Sequence, residues 1–161
     1  RATPIQDADN AATLHDRLAQ LGAELLVQTI PGYAAGKIQP QRQQHELATH
    51  VAKIKKEDGR IDWTQPARGI WDRIRAFTPW PGAFTFLPGQ PQPVLLKIWQ
   101  AEVVSQNGAA GKVLSADKTG IVIGCGEGLL RVTNLQREGG RRMNAAEFLA
   151  GHPLPVGLSL D

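Results

Sequence analysis

Cysteine, methionine and tyrosine occur once each among the 161 residues, and aromatic residues make up only 6% of them. A lone Cys125 has no partner for an internal disulfide. Such a chain suits a reducing compartment, and a cytoplasmic location is expected. No Cys and His spacing resembles a structural zinc site, so no metal is expected either. No apolar run approaches the ~18 residues that a spanning helix requires, which excludes a helical membrane protein. Arg1–Asp9 carry no apolar stretch of the kind found in a signal peptide. The chain opens on Arg1 rather than Met, so a piece of a longer protein is expected. What is present, 42% hydrophobic and 20% charged residues, is the composition of a soluble globular chain. The length allows one domain, or a small domain with part of another.

The net charge of +3 is modest but unevenly placed. Residues 1–36 carry two basic and four acidic groups, while residues 37–75 carry nine basic and five acidic ones. Residues 76–161 are nearly balanced, with seven and six, yet Arg137, Arg141 and Arg142 cluster there. Two basic clusters on a nearly neutral chain suit a patch that meets an anion such as nucleic acid. The competing reading is that these side chains only keep exposed faces hydrated.

Three textures follow one another. In residues 1–36, Ala2–Ile5 has the makings of a short strand. Asp9 or Asn10 then offers an N-cap to a helix with Leu14, Leu18 and Leu21 on one face. Gly22 is expected to interrupt that helix, and Ala23–Ile30 to form a second one broken by Pro31-Gly32. So small a region cannot build its own core, and it reads as the end of an α/β domain. Residues 37–56 are polar, poor in aromatics and without sustained period, as in an exposed linker, and Lys53, Lys55 and Lys56 close it. Residues 57–161 read as a self-contained domain. Thr64 is placed to cap a helix that has Pro66 in its first turn, runs to Phe77 and buries Ile70, Ile74 and Phe77. Arg68, Arg73 and Arg75 then lie on its other sides, free for solvent or a ligand. Thr78-Pro79-Trp80-Pro81-Gly82 ends it.

Short β-type runs follow at Ala83–Leu87, Val94–Val104, Gly111–Ser115, Gly120–Cys125 and Leu129–Leu135, joined by Gly-, Asn- and Asp-rich turns. Five strands with tight turns predict a mainly β domain, a small antiparallel Greek-key barrel of the oligonucleotide/oligosaccharide-binding (OB) type. A last helix opens at the capping-box variant Asn144-Ala-Ala-Glu147 and ends at Gly151.

Little in this inventory does chemistry. His15, His45, His50 and His152 are scattered, and each reads as an exposed, non-catalytic histidine. Cys125 sits between glycines with no base nearby and reads as a small packed residue. The glycines at 124, 126 and 128 lie between two strands, whereas a phosphate-cradling loop leads from a strand into a helix. Trp63, Trp71, Trp80 and Trp99 have faces on which bases can stack, but packing is the commoner role; Trp71 and Trp80 in particular read as packing anchors.

One run is nevertheless specific. Lys53–Trp63 (KIKKEDGRIDW), followed by Ile74–Ala83 (IRAFTPWPGA), resembles the carboxy-terminal part of bacterial methionyl-tRNA formyltransferases. Gly139–Met143 (GGRRM) and Glu147–Gly151 (EFLAG) extend the likeness, and Asp9–Gly22 is similar to the closing helix of that family's catalytic domain. Pro31-Gly32 departs from a stretch that is continuously helical in the family. The resemblance implies a Rossmann-like α/β catalytic domain followed by an OB-like barrel that helps to hold the tRNA. It also implies transfer of a formyl group from 10-formyltetrahydrofolate to the amino group of initiator methionyl-tRNA. The family's catalytic asparagine, histidine and aspartate and its folate-contacting loop match nothing here. No catalytic or cofactor-binding residue is therefore assigned, and the chain alone is expected to be inactive.

The resemblance divides the chain into a catalytic-domain remnant (1–36), a basic linker (37–56) and an OB-like tRNA-binding domain (57–161). The candidate phosphate contacts are Lys53, Lys55, Lys56, Arg60, Arg73, Arg75, Arg137, Arg141 and Arg142. Asp58, Asp62 and Asp72 are near enough in sequence to neutralise some of them. Lys97, Lys112 and Lys118 are dispersed and are expected to contribute less. The alternative is the C-terminal domain of another 10-formyltetrahydrofolate-dependent formyltransferase or dehydrogenase, in which the barrel is purely structural and the charge clusters incidental.

Overall fold

A computed structural model describes residues 1–89 and 91–161. It divides the chain into two compact units, Arg1–Ile54 and Lys55–Asp161.

The first unit is built around one helix, α1 (Ala11–Ala34). Asn10 starts it: its Oδ1 accepts from the N–H groups of Ala12 and Thr13 at 2.9 and 3.0 Å, and Thr13 Oγ1 accepts from the N–H of Asn10 at 3.0 Å. These bonds satisfy donors that the first helical turn leaves without partners. The helix passes through Gly22 and Pro31, contrary to the expected break at each. Gly22 only gives up the helical preference of a side chain, a cost of ~1 kcal/mol. Pro31 falls in the last turn, and its carbonyl still accepts from the N–H of Ala35 at 3.0 Å, so one missing donor does not end the helix. Ala2–Ile5 forms no strand. It is tied instead by Arg17, whose Nη2 donates to the carbonyl of Pro4 at 2.8 Å. No residue of α1 is buried; Leu26 is 60% exposed. Residues 37–54 contain one 3-10 turn, His45–Leu47.

The second unit carries α2 (Ala67–Ala76), six strands and α3 (Ala145–Gly151). The strands are β1 (Ala83–Leu87), β2 (Val94–Val104), β3 (Val113–Asp117), β4 (Gly120–Gly124), β5 (Leu129–Arg137) and β6 (Met143–Asn144). They form one antiparallel sheet in the order β1-β2-β5-β4-β3, with β6 also paired to β5. The chain therefore crosses from β2, inside the sheet, to its far edge before returning strand by strand. Beyond α3 the last residues bond to both edges. Val113 N–H donates to the carbonyl of Leu158 at 2.9 Å, and Phe86 N–H donates to the carbonyl of Asp161 at 3.1 Å. Two exposed strand edges are thereby covered.

Alternation along the strands places Leu96, Ile98, Leu130, Val132 and Leu135 in the core with Ile121, Ile123 and Phe148. Helix α2 adds Ile70 and Ile74, each nearly inaccessible, while Phe77 is only half-buried. Its N-cap is Pro66 rather than Thr64. The Asp62 carboxylate takes Thr64, accepting from its N–H at 3.0 Å and its hydroxyl at 2.6 Å. Those bonds draw the Asp62 carboxyl below its ordinary range, the Thr64 hydroxyl contributing most. Helix α3 begins as expected, with a reciprocal capping box between Asn144 and Glu147.

Candidate nucleic-acid interface

The glycine-rich turn between β4 and β5 is packing. A Cβ added at Gly126 would lie 1.8 Å from the carbonyl oxygen of Thr64, and one at Gly124 2.0 Å from that of Ala109. These glycines admit neighbouring backbone, which leaves no cradle for a phosphate. Cys125 is buried between them, and burial pushes its thiol up to about 11. Among the described residues no three His, Cys, Asp or Glu side chains are grouped to hold a metal ion, and no helix is long and apolar enough to cross a membrane.

The outward side of β1, β2 and β5 is different. Because Leu96 and Ile98 point into the core, Lys97 and Trp99 point away from it. Lys97 lies opposite Phe84 on β1 and Gln136 on β5. With Lys56, Leu95, Gln136, Arg137, Glu138 and Gly139 it lines a cavity of about 260 Å³. Trp99 donates from Nε1 to Oε1 of Gln136 at 3.0 Å, and the other end of that amide donates to the carbonyl of Gly140 at 2.8 Å. The Arg142 guanidinium stands 3.9 Å from the centre of the Trp99 ring and the Lys97 ammonium 5.6 Å from it. Arg137 lies beside His152, Nη1 to Nε2 at 3.0 Å, and the ring of His152 stacks on Phe148 at 4.9 Å. His152 is thus a half-buried support for an arginine, where the sequence reading made it an exposed bystander. With Nδ1 donating to the Phe148 carbonyl 3.3 Å away, its Nε2 accepts from Arg137 and leaves that charge uncancelled.

The nine candidate side chains fall into two groups. Arg60 pairs with Asp161 at 3.0 Å, Arg75 with Asp72 at 2.8 Å and Arg141 with Glu147 at 3.0 Å. Arg141 holds the Glu147 carboxyl below its ordinary range. Arg73 donates to the carbonyl of Asp58 and lies over Phe77. Arg68 also meets Asp72, so none of the α2 arginines stands free as its helical position suggested. They are drawn in because one carboxylate and the Trp71 ring, 3.9 Å from Arg75 and 4.5 Å from Arg68, are both within their reach. Lys55, Lys56, Arg137 and Arg142 are exposed and form no ion pair among the described residues. Lys53 is exposed too, in the first unit.

The tryptophans also divide. Trp63 is buried with Nε1 donating to Thr85 Oγ1 at 3.0 Å, and Trp71 donates to the carbonyl of Ala101 at 2.9 Å. Trp80 is 60% exposed, so it is no packing anchor. Only its own side chain turns outward, since Pro81 and Gly82 directly after it are buried. The sequence reading missed Lys97 as a partner of Lys56 and Arg137, and it missed Trp99 as their neighbour. The alternation of Val94–Val104 carried a signal for both, since it places Lys97 and Trp99 on one outward face.

Residues 53–153 match the family model of the formyl transferase C-terminal domain. Three methionyl-tRNA formyltransferases show the extent of the likeness. The one from Citrifermentans bemidjiense is 43% identical over 98% of this chain and 48% of its own length. Those from Acidovorax ebreus and Caldanaerobacter subterraneus are 47% and 44% identical, over 98% and 99% of this chain and 49% and 51% of their own lengths. The chain thus spans about half the length of these relatives, in their C-terminal part. In solved structures, HypX from Aquifex aeolicus in complex with tetrahydrofolic acid shares the fold, with TM-score 0.64 and 20% identity over 92% of this chain and 26% of that one. A multiply substituted HypX variant gives 0.67 and 20% over 99% and 28%. With well over half of its residues matched by that model, the chain belongs to the formyl transferase C-terminal domain family.

Proposed function

We propose that this chain is the tRNA-binding C-terminal portion of a methionyl-tRNA formyltransferase, an enzyme of translation initiation working in the cytoplasm. The whole enzyme moves a formyl group from 10-formyltetrahydrofolate to the amino group of initiator methionyl-tRNA. Its catalytic residues lie in the half of the relatives that this chain does not span, and the chain alone transfers no formyl group. Transfer needs a base for the amine proton and a donor for the developing oxyanion, both held at the formyl carbon. No such constellation is assigned here. The apolar side chains exposed along α1 support its reading as the last helix of the catalytic domain. The crossing from β2 to β3 and the two covered edges support an OB-like barrel for residues 57–161.

The observation that carries the binding role is the set of exposed cations on Lys55, Lys56, Arg137 and Arg142, which have no carboxylate partner among the described residues. Such groups neutralise backbone phosphates and release counterions, giving affinity without reading sequence. The test is binding of initiator tRNA to the purified chain across a salt series. Four engaged cations give a slope of log affinity against log salt of roughly three. Replacing Lys53, Lys55 and Lys56 together by Ala should reduce it by about one to two units. A flat salt series, or a preference for folate or sugar nucleotides over tRNA, would refute the reading and favour a purely structural barrel.

A further inference from the structure

Among the described residues two tryptophans each carry two cations, and they differ in one respect. On α2 the Trp71 ring holds Arg68 and Arg75, and both arginines also meet Asp72. That cluster is compensated within the fold. On β2 the Trp99 ring holds Lys97 and Arg142, and neither has an ion pair among the described residues. An aromatic face fixes a cation without cancelling its charge, whereas a carboxylate fixes it and cancels it. A guanidinium held by a ring also keeps its N–H donors available to an oxygen ligand.

The position of Trp99 is built for this. The β2–β5 register pairs Ile98 with Leu135 and Gln100 with Asn134, so Trp99 is an extra residue in a β-bulge. Bulges re-aim a side chain relative to a regular strand. Gln136 then ties the indole N–H to the backbone of Gly140, in the turn that leads to Arg142. Lys97 extends from the ring to the cavity that it shares with Lys56 and Arg137, where Glu138 is the one lining carboxylate. The His152 ring supports Arg137 from outside that cavity, again without a negative charge.

We propose that Lys56, Lys97, Arg137 and Arg142 form one preorganised site for a backbone phosphate of RNA, with Trp99 and Gln136 as its positioning residues. This deepens the tRNA-binding reading and rests on it. Lys97, left aside by the sequence as a dispersed lysine, is a central contact of the site. Trp99 touches no phosphate; it holds the two cations where the phosphate arrives, so less side-chain freedom is lost on binding.

The test uses the whole chain and measures tRNA affinity over a salt series for wild type, Lys97→Ala, Arg142→Ala, Trp99→Phe and Trp99→Leu. Lys112→Ala and Lys118→Ala serve as controls, and a urea midpoint is recorded for each variant. Lys97→Ala and Arg142→Ala should each lower the slope by about 0.7–0.9, while the two controls keep it. Trp99→Phe retains a ring and should stay within about twofold of wild type, because a smaller face still attracts cations. Trp99→Leu should weaken binding about fivefold to tenfold at every salt concentration with less loss of slope than Lys97→Ala, because no charge has been removed. A merely structural Trp99 would instead move the urea midpoint and leave the affinity of the folded fraction intact. If wild type binds no tRNA, the functional reading fails. If wild type binds and Lys97→Ala and Arg142→Ala behave like the controls, only this site fails; both are surface changes, so the outcome does not hang on whether Trp99→Leu folds. Inorganic phosphate, titrated alone and followed by the fluorescence lost in Trp99→Phe, covers the remaining source of the anion. Saturation by inorganic phosphate at concentrations that leave tRNA bound would assign the cavity to a free anion and overturn the proposal.

Discussion

Replacing Thr85 by Val removes two hydrogen bonds from the core while keeping the shape of the side chain. Thr85 on β1 is fully buried. Its hydroxyl accepts from Trp63 Nε1 at 3.0 Å and donates to the backbone carbonyl of Asp161 at 2.7 Å. The Asp161 carbonyl keeps a second partner, the N–H of Phe86 at 3.1 Å, so its loss is small. The indole N–H of Trp63 has no such reserve, because that ring is only 5% exposed. Leaving one buried donor without an acceptor costs ~1–3 kcal/mol, and the lost bond to Asp161 adds up to about 1. We expect Thr85→Val to destabilise the 55–161 unit by ~2–3 kcal/mol, read by urea unfolding followed with far-UV circular dichroism. At roughly 4 °C per kcal/mol for a unit of this size, the melting temperature should fall by about 8–12 °C. The discriminating measurement is a double-mutant cycle with Trp63→Phe. Phe leaves a void but carries no donor, so the double mutant should be less destabilised than the sum of the singles by ~1–2 kcal/mol. Additivity within ~0.5 kcal/mol would refute the reasoning, since the orphaned indole would then not be the source of the cost.

Four further outcomes are expected. Gly126→Ala drives a methyl into the carbonyl of Thr64 and should cost ~3 kcal/mol, while Gly151→Ala, with open space around it, should be close to neutral; thermal melts of the two variants check the contrast. Asp9 has its carboxyl lowered from 3.8 to about 2, chiefly by its hydrogen bond from Arg17 and then by that from the N–H of Gln6. Because the folded value is the lower one, its contribution is full above about pH 4 and is lost as pH falls through about 2. A carboxyl titration by NMR with a midpoint near 3.8 would contradict the Asp9–Arg17 pair. Cys125, buried and with its thiol pushed up to about 11 by that burial, should resist alkylation at neutral pH until the unit unfolds; rapid labelling of the native chain would contradict its burial. Amides in α1 should exchange faster than those of β2 and β5, because no residue of α1 is buried whereas Ile98 and Leu135 are inaccessible; equal protection in a monomer would sink that expectation.

The local grammar of the chain was legible from residue types. The strands Ala83–Leu87 and Val94–Val104 were read with the bounds they have in the structure, because both alternate and both end at turn residues. The last helix was equally plain, since Asn144 and Glu147 announce a capping box. Errors arose where a local rule met competing partners. Pro31 forbids one hydrogen bond but stands too near the end of α1 to break it. Thr64 has the chemistry of an N-cap, yet Asp62 engages its hydroxyl first.

The family signal was likewise sequential, in the Lys53–Trp63 and Ile74–Ala83 runs that lie in the matched 53–153 region. The arrangement of charge was not. Residue types alone determined that cations outnumber carboxylates in two stretches of the chain. Which of those cations keep their charge unopposed was decided by contacts in the fold, some local and some distant. Asp72 takes Arg68 and Arg75 within its own helix, as its nearness in sequence suggested, whereas Asp161 meets Arg60 from 101 positions away. The Trp99 bulge brings Lys97 and Arg142, 45 positions apart in sequence, onto one ring. A Coulomb field depends on distance in space and on what lies between the charges, neither of which a linear count of Lys and Arg contains.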